Sequence, residues 1–151
     1  MAYDIGPMDE GGAGRGARRL LALADYLETI PDQAYDHRVW RRDDPGGGRA
    51  MCALGHAVTA LPDLIGLRWR SPESGDVVRM DGSGVTQDEL VLAAEAFELS
   101  LDEARRIFGV GLYTVDFYGP AGAFSLTPAA AATAIRSFAL ARLTLAFEAA
   151  T

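Results

Sequence analysis

Residues 46–56 read GGGRAMCALGH, a glycine-rich loop followed by an apolar segment that ends at a histidine. The segment contains Cys52, the single cysteine of the chain, and His56, one of its two histidines. Apolar side chains recur here at helical spacing, which predicts a helix over residues 50–61. Because Cys52 and His56 are four residues apart, such a helix places the thiol and the imidazole on one face. Such a pair can ligate a metal, perform thiol chemistry or pack in a core.

Composition and charge restrict the class of protein. With 151 residues, of which 49% are hydrophobic and 23% charged, the chain fits a single soluble globular domain. All 14 basic residues are arginine, so a Schiff-base lysine and the lysine of a Walker-type phosphate loop are both excluded. The formal net charge of −7 makes nucleic acid an unfavourable partner. A lone cysteine cannot form an intramolecular disulfide, which favours a cytoplasmic location.

The two ends of the chain also predict a soluble protein. Residues 1–14 are rich in glycine and acidic residues and are interpreted as a loose lead-in, without the pattern of a secretion signal. The longest apolar stretch, residues 129–150, is interrupted by three charged residues, which favours a core helix over a membrane span. We therefore expect residues 15–151 to form one domain without membrane contact.

Periodicity and capping patterns predict a mainly α-helical fold. Residues 86–89 read TQDE and residues 100–103 read SLDE, and each matches a capping box at the start of a helix. Thr127 followed by Pro128 is typical of the start of a final helix. The sequence therefore predicts a compact bundle of about five helices, over residues 15–30, 50–61, 86–99, 100–108 and 128–148.

Two segments depart from the helical pattern. Residues 67–70 and 77–80 flank a Pro-Glu-Ser-Gly-Asp turn, which predicts a small β-hairpin or a mobile flap near residues 67–80. Residues 109–126 combine glycines with aromatic side chains and are interpreted as a loop. This loop either forms a pocket or partner-binding patch, or covers the core. Its candidate binding residues are Tyr113, Asp116, Phe117 and Tyr118.

The order of these motifs resembles that of a family of small bacterial and phage-encoded proteins. The family pattern has a Trp, then Cys-Gly-Thr-x-x-Cys-x-x-Gly-His-Ala, then a helix pair that ends in Glu-Ala-x-x-Leu-Phe, then Thr-Pro before a last helix. Gly47 stands where that family has its first cysteine, so neither a two-cysteine disulfide nor a Cys-Cys-His metal site is available here. The resemblance implies a helical fold over residues 20–140 and no particular activity. The matching residues are Trp40, Cys52, Gly55, His56, Ala57, Ala94, Leu99, Glu103, Ala104, Ile107, Phe108, Thr127 and Pro128.

Thiol catalysis is one hypothesis for Cys52. The start of a helix lowers the pKa of a cysteine, and a glycine-rich loop leaves room for a substrate. His37 or His56 would serve as the base, with Asp36 or Asp116 orienting the imidazole. The alternative is that Cys52 is a small buried hydrophobe and that His56 hydrogen-bonds within the core, fixing the loop before its helix. The sequence supplies no oxyanion hole, so the structural alternative is preferred.

Metal binding is a second hypothesis for the same residues. Cys52 and His56 have the spacing of two zinc ligands on one helix, and His37 with a carboxylate would complete the set. Because the chain has one cysteine and two histidines in all, part of the ligand set must be assumed. We therefore expect no metal or other cofactor.

The predicted helix pair over residues 94–108 also resembles a helix-turn-helix. In that arrangement Asp102 and Glu103 would face the major groove, where they repel phosphates, and Arg105 and Arg106 offset this only in part. The acidic balance of the chain favours a packed helical hairpin instead.

Taken together, the sequence favours a non-enzymatic cytoplasmic binding or regulatory module that recognises a protein or a small ligand. The region around Trp40 and His56, the hairpin and residues 113–118 are expected to supply its binding surface. The alternatives are a cysteine-dependent enzyme that uses Cys52 with His37 or His56, and a DNA-binding protein of the helix-turn-helix kind.

Overall fold

The computed structural model describes residues 14–39, 41–43, 49–72, 75–109, 112–119 and 126–150. Within these ranges the chain forms seven α-helices and two short antiparallel hairpins, which confirms the predicted mainly α-helical fold. The helices are α1 (Arg15–Leu27), α2 (Ala53–Ala60), α3 (Pro62–Ile65), α4 (Glu89–Phe97), α5 (Leu101–Phe108), α6 (Leu112–Tyr118) and α7 (Pro128–Ala150). The paired strands are β1 (Arg42–Asp43) with β2 (Arg49–Ala50), and β3 (Leu67–Trp69) with β4 (Val77–Arg79).

Helices α1 and α7 form the centre of the core. Four leucines of α1 are fully buried, and burial of each stabilises the fold by roughly 1.5–3 kcal/mol. Helix α7 contributes Ile135 and three alanines to the same apolar cluster. At the end of α1, Arg136 of α7 donates to Asp25 and Glu28 at 3.0 and 2.6 Å. Helix α1 is thus held by apolar packing along its length and by an ion pair at its end.

The start of α1 is held against the end of α4. A Cβ added at Gly16 would lie 2.1 Å from the Phe97 carbonyl oxygen, so only glycine permits this approach. Glu98 ends α4 in the left-handed region, with φ of 55°. From there its carboxylate accepts the Gly16 N–H at 3.0 Å and the Arg15 Nε–H at 2.9 Å. A side chain of α4 therefore caps α1, which has no side-chain cap of its own.

The two predicted capping boxes have different outcomes. The box at Ser100 and Glu103 is confirmed, since each side chain accepts the backbone N–H of the other. The box proposed for residues 86–89 is wrong, because Asp88 is the N-cap of α4 and accepts the Leu90 N–H at 2.8 Å. The final helix begins as predicted, and Thr127 accepts the Ala130 N–H at 3.1 Å.

The predicted hairpin near residues 67–80 is confirmed. Strand β3 pairs with β4, with Leu67 opposite Arg79 and Trp69 opposite Val77. Leu67 and Val77 lie in the main apolar cluster. The indole Nε1 of Trp69 donates to Thr59 of α2 at 2.9 Å. The hairpin is thus packed against the helices rather than separate from them.

Two predicted boundaries and one predicted loop need correction. Helix α2 begins at Ala53 instead of residue 50, because residues 49–50 pair with β1 and Met51 donates to the Ala34 carbonyl. Helix α1 ends at Leu27, three residues earlier than predicted. The segment 109–126 is not a loop throughout, since residues 112–118 form α6. Tyr118 anchors that helix by donating to the Ile107 carbonyl at 2.8 Å.

Candidate functional site

Cys52 lies at the N-cap of α2, one residue before the helix begins. Its sulfur accepts the Gly55 N–H at 3.4 Å. The residue is 1% exposed, and burial raises the pKa of the thiol to about 12, with the backbone amides of Gly55 and Leu54 opposing this only in part. This shift has the opposite sign to the one expected for a cysteine at a helix start, because desolvation outweighs the backbone amides. Cys52 is therefore a protonated, buried thiol at neutral pH.

His56 lies on the first turn of α2 and is buried. Its Nε2 donates to the Ala34 carbonyl at 2.7 Å, and its ring stacks on Tyr35 with 6.1 Å between centroids. Burial lowers the pKa of His56, and the bond to Ala34 only partly opposes this. Nδ1 is buried without a hydrogen-bond partner, which fits a neutral imidazole with its proton on Nε2. These contacts match the expectation that His56 fixes the segment before its helix.

His37 forms a second internal connection. Its Nε2 donates to the Gly109 carbonyl at 2.9 Å, so Nδ1 is the acceptor for the Tyr35 hydroxyl at 2.7 Å. The edge of the Tyr118 ring meets the imidazole, with 5.1 Å between centroids. Burial lowers the pKa of His37 to about 4, so the side chain is neutral at physiological pH. His37 therefore joins the segment before α2 to the end of α5.

Tyr35 brings the two histidines together, with its hydroxyl on one imidazole and its ring against the other. The hydrogen bonds of both imidazoles thus go to Tyr35 and to backbone carbonyls. Asp36 does not orient either ring, because its carboxylate is bound by Arg38 and Arg42. Across the ranges that the structure describes, no three His, Cys, Asp or Glu side chains gather as metal ligands. We call this set, Tyr35, His37, Cys52, His56 and Tyr118, the buried polar cluster.

The described aromatic side chains of α6, Phe117 and Tyr118, pack against the rest of the fold. Phe117 packs against Phe138 of α7 and against Tyr118, with ring centroids 5.8 and 4.6 Å apart. Asp116 is exposed. Phe117 and Tyr118 thus cover the core. The side chain of Tyr113 and the whole of Trp40 lie outside the described part of the chain.

The acidic side chains at the start of α5, which a helix-turn-helix would place in the major groove, form ion pairs with arginines of this chain. Asp102 lies 3.8 Å from both Arg105 and Arg106 on the same helix. Glu103 accepts from Arg142 of α7, in addition to its capping bond. Both acidic side chains in the first turn of α5 therefore have partners within the protein.

A surface pocket that no sequence motif predicted lies between α1, α4 and the β3–β4 hairpin. Its volume is about 240 Å³. Four of its lining residues belong to the buried apolar core, and three are arginines. We call it the arginine pocket. Its lining residues are Arg15, Arg19, Ile65, Gly66, Leu67, Arg79, Leu92, Glu95 and Ala96.

The guanidinium groups of this pocket are held by the fold. Arg79 forms a two-bond fork to Glu95, with Nε and Nη2 donating at 2.9 and 3.0 Å. Arg19 donates to the Ala96 carbonyl at 2.8 Å, and Arg15 donates to Glu98. The sequence did hold a signal, since α1 begins with arginines and has no acidic residue in its first turn. Cations at a helix start oppose the helix dipole, and such a local conflict often marks a functional surface.

A second hollow lies beside the start of α1, the end of α4 and the second half of α7. Its volume is about 260 Å³, and Leu20, Leu99 and Leu145 form much of its apolar lining. Glu98 and Arg142 supply its charged groups. Leu145 is 60% exposed, the highest value among the large apolar side chains of the described residues.

Comparisons with known proteins leave the function to be argued from these contacts. No family model, curated protein or solved structure matches the chain. The resemblance in the motifs therefore stays a prediction. Among the helices in the described ranges, none is long and apolar enough to cross a membrane.

Proposed function

We propose that this protein is a non-enzymatic cytoplasmic module that binds a protein or a small ligand, with a regulatory role through that binding. The observation that supports this proposal is that the side chains most able to react are not accessible at the surface. Cys52, His37 and His56 are buried and bonded to the chain itself. Two hollows open instead beside the first half of α1.

The thiol supports this proposal because cysteine catalysis requires an accessible thiolate. A buried thiol with a pKa of about 12 has a very small thiolate fraction at neutral pH. Neither imidazole has the free ring nitrogen at the surface that a general base needs. The cysteine-dependent alternative is therefore less favoured than binding.

The hollows support binding because they are concave and lie between packed elements. The close contact of Gly16 with Phe97 and the Glu98 cap hold α1 in place against α4. A pocket on such elements is preorganised, so binding a ligand costs the protein little conformational entropy.

Alkylation of Cys52 tests the proposal. We expect iodoacetamide at neutral pH to modify the native chain at least about a hundredfold more slowly than free cysteine, because the thiolate is scarce and inaccessible. The same chain in concentrated urea should react at the rate of free cysteine, which controls for the reagent. Rapid labelling of the native chain, together with loss of labelling in a His37→Gln or His56→Gln variant, would favour the enzyme instead.

A further inference from the structure

We propose that His37 and His56 form an acid-sensitive latch, which holds residues 34–39 against α2 and the end of α5 at neutral pH and releases them when the imidazoles are protonated. We call residues 34–39 the latch segment. The latch goes beyond the proposed function, because it changes the fold and does not depend on which ligand or partner binds.

Both imidazoles connect the latch segment to a helix. His37, within the segment, donates from Nε2 to the Gly109 carbonyl at the end of α5, at 2.9 Å. His56, on α2, donates from Nε2 to the Ala34 carbonyl at 2.7 Å. Each ring is the donor across its contact, so displacement of either imidazole breaks a connection between the segment and the helices.

Neither ring has an acceptor for a second proton. Nδ1 of His37 accepts the Tyr35 hydroxyl at 2.7 Å, so a proton on this atom would face another donor. Nδ1 of His56 is buried and, within the described ranges, has no hydrogen-bond partner. Protonation of either ring would therefore create a buried cation without a new hydrogen bond, which strongly favours exposure of the ring to water.

The aromatic groups around the two rings supply no negative charge. Tyr26 of α1 and Tyr35 lie against His56, with 5.9 and 6.1 Å between ring centroids. Tyr118 of α6 lies against His37 at 5.1 Å. Tyrosine is uncharged between pH 5 and pH 7, so none of these side chains stabilises an imidazolium as a counter-ion.

Asp36 is the acidic group that attracts a proton to His37, but it is already paired. Its carboxylate accepts from Arg38 and Arg42, and these bonds hold the pKa of Asp36 at about 2. Cys52, the remaining titratable group of the buried polar cluster, is an uncharged thiol with a pKa of about 12. Desolvation therefore outweighs the attraction of Asp36, and the pKa of His37 falls from 6.5 to about 4.

The latch segment supplies little of the core, so its release can be local. Tyr35 is its one residue in the main apolar cluster, whereas α1 supplies six. Segments with little apolar burial open at a lower free energy than core helices do. Backbone hydrogen bonds also join the segment to Met51 and Cys52, and the amides in these bonds exchange with solvent only when the segment is released.

Hydrogen exchange of the full chain at pH 7 and pH 5, followed by mass spectrometry, tests the latch. Division by the intrinsic exchange rate at each pH gives protection factors. We expect the protection of residues 34–39 and 51–52 to fall at least about tenfold, because the shift of His37 alone favours the open form about twentyfold over this interval. At pH 5, α1 and α7 should remain at least about tenfold better protected than the segment.

Variants of the two histidines assign the effect. Glutamine keeps a side-chain N–H donor and takes up no proton, so His37→Gln and His56→Gln should each reduce the fall in protection, whatever their protection at pH 7. The chain has no other histidine, and the double variant should keep the protection of the segment within about twofold. Arg105→Gln, on α5 and outside the buried polar cluster, is the control and should show the full fall.

Three outcomes would overturn the latch. Equal protection of the segment and of α1 at pH 5 would show that acid unfolds the chain as a whole. Protection that does not change between the two pH values, or an undiminished fall in the double variant, would show that the imidazoles do not hold the segment. Iodoacetamide labelling at neutral pH is independent of all three, so the proposed function and the latch can fail separately.

Discussion

The starts of α1 and α2 are two helix N-termini with opposite character. The N-cap of α2 is Cys52, whose buried sulfur accepts the Gly55 N–H in the first turn of the helix. The N-cap of α1 is Gly14, which has no side chain to cap the helix, so the carboxylate of Glu98 at the end of α4 accepts the Gly16 N–H instead. The first start lies within the core, whereas the second opens onto the arginine pocket.

This difference shows that residue type alone does not indicate whether a side chain lies in the core or at a surface pocket. Cysteine and histidine attract attention in a sequence because they perform chemistry, yet here they hold the segment before α2 in place. Arginine is common in this chain and carries no motif. The fold nevertheless gathers three of its arginines around one hollow.

The largest effect should come from the contact that positions α1. We expect Gly16→Ala to lower the free energy of unfolding by about 3 kcal/mol or more, because the new Cβ would lie 2.1 Å from the Phe97 carbonyl oxygen. The higher helix propensity of alanine offsets only about 1 kcal/mol of this.

Urea unfolding measures the effect. Gly75→Ala is the control, since nothing lies within 4 Å of a Cβ there, and it should change stability by less than about 0.5 kcal/mol. Equal stability of Gly16→Ala and the parent chain would mean that α1 is not held at α4, and the comparison of the two helix starts would fail.

An intermediate effect should come from acidification of the buried polar cluster. Burial lowers the pKa of His37 from 6.5 to about 4, so the unfolded chain binds a proton at higher pH than the folded one. The stabilisation that neutral His37 gives the folded chain is therefore complete above pH 6.5 and is lost progressively as the pH falls from 6.5 to 4. Between pH 7 and pH 5 we expect a loss of about 2 kcal/mol.

Urea unfolding of the parent chain and of His37→Gln at the two pH values isolates this contribution. The variant cannot take up the proton at this position, so its stability should fall less over the same interval. The lowered pKa of His56 acts in the same direction in both chains and cancels from the difference. Identical pH slopes for the two chains would contradict a buried neutral His37.

The smallest effect should come from the arginine pocket. We expect Arg79→Gln to change the free energy of unfolding by less than about 1 kcal/mol, because its ion pair with Glu95 is solvent-accessible. Arg105→Gln, which removes a partly exposed arginine of α5 that is also paired with an acidic side chain, is the matched control. A loss of several kcal/mol from Arg79→Gln alone would mean that the pocket arginine is structural, like the buried histidines.

Local patterns predicted much of the fold. The Ser100 capping box, the Thr127 cap and the hairpin at residues 67–80 depend on interactions within a few residues, and each has its expected form. The sequence did not predict helix α6. The helix is seven residues long, too short for a clear periodic pattern, and it lies in a segment of glycines and aromatic residues that is typical of a loop. It is stabilised by contacts of Phe117 with α7 and of Tyr118 with α5.

The candidate sites were harder to predict than the helices. The spacing of Cys52 and His56 correctly placed both near the start of one helix, but spacing holds no information on burial. The pKa of the thiol rises because of desolvation by the surrounding elements, including residues distant in the chain. The arginine pocket draws its lining from residues 15–19, 65–67, 79 and 92–96, so no window of the sequence contains it.

Sequence alone thus specifies the helical character, the hairpin, the starts of α1, α5 and α7 and the acidic charge, because these follow from neighbouring residues or from simple counting. The folded chain alone sets which polar groups are buried and which arginines share a pocket. Both properties depend on side chains that lie far apart in sequence. The buried polar groups meet where the segment before α2 packs against α2, α5 and α6, and the arginines meet where α1, α4 and the hairpin pack together. For this protein, the side chains that looked reactive in the sequence are buried, and tertiary packing forms the arginine pocket.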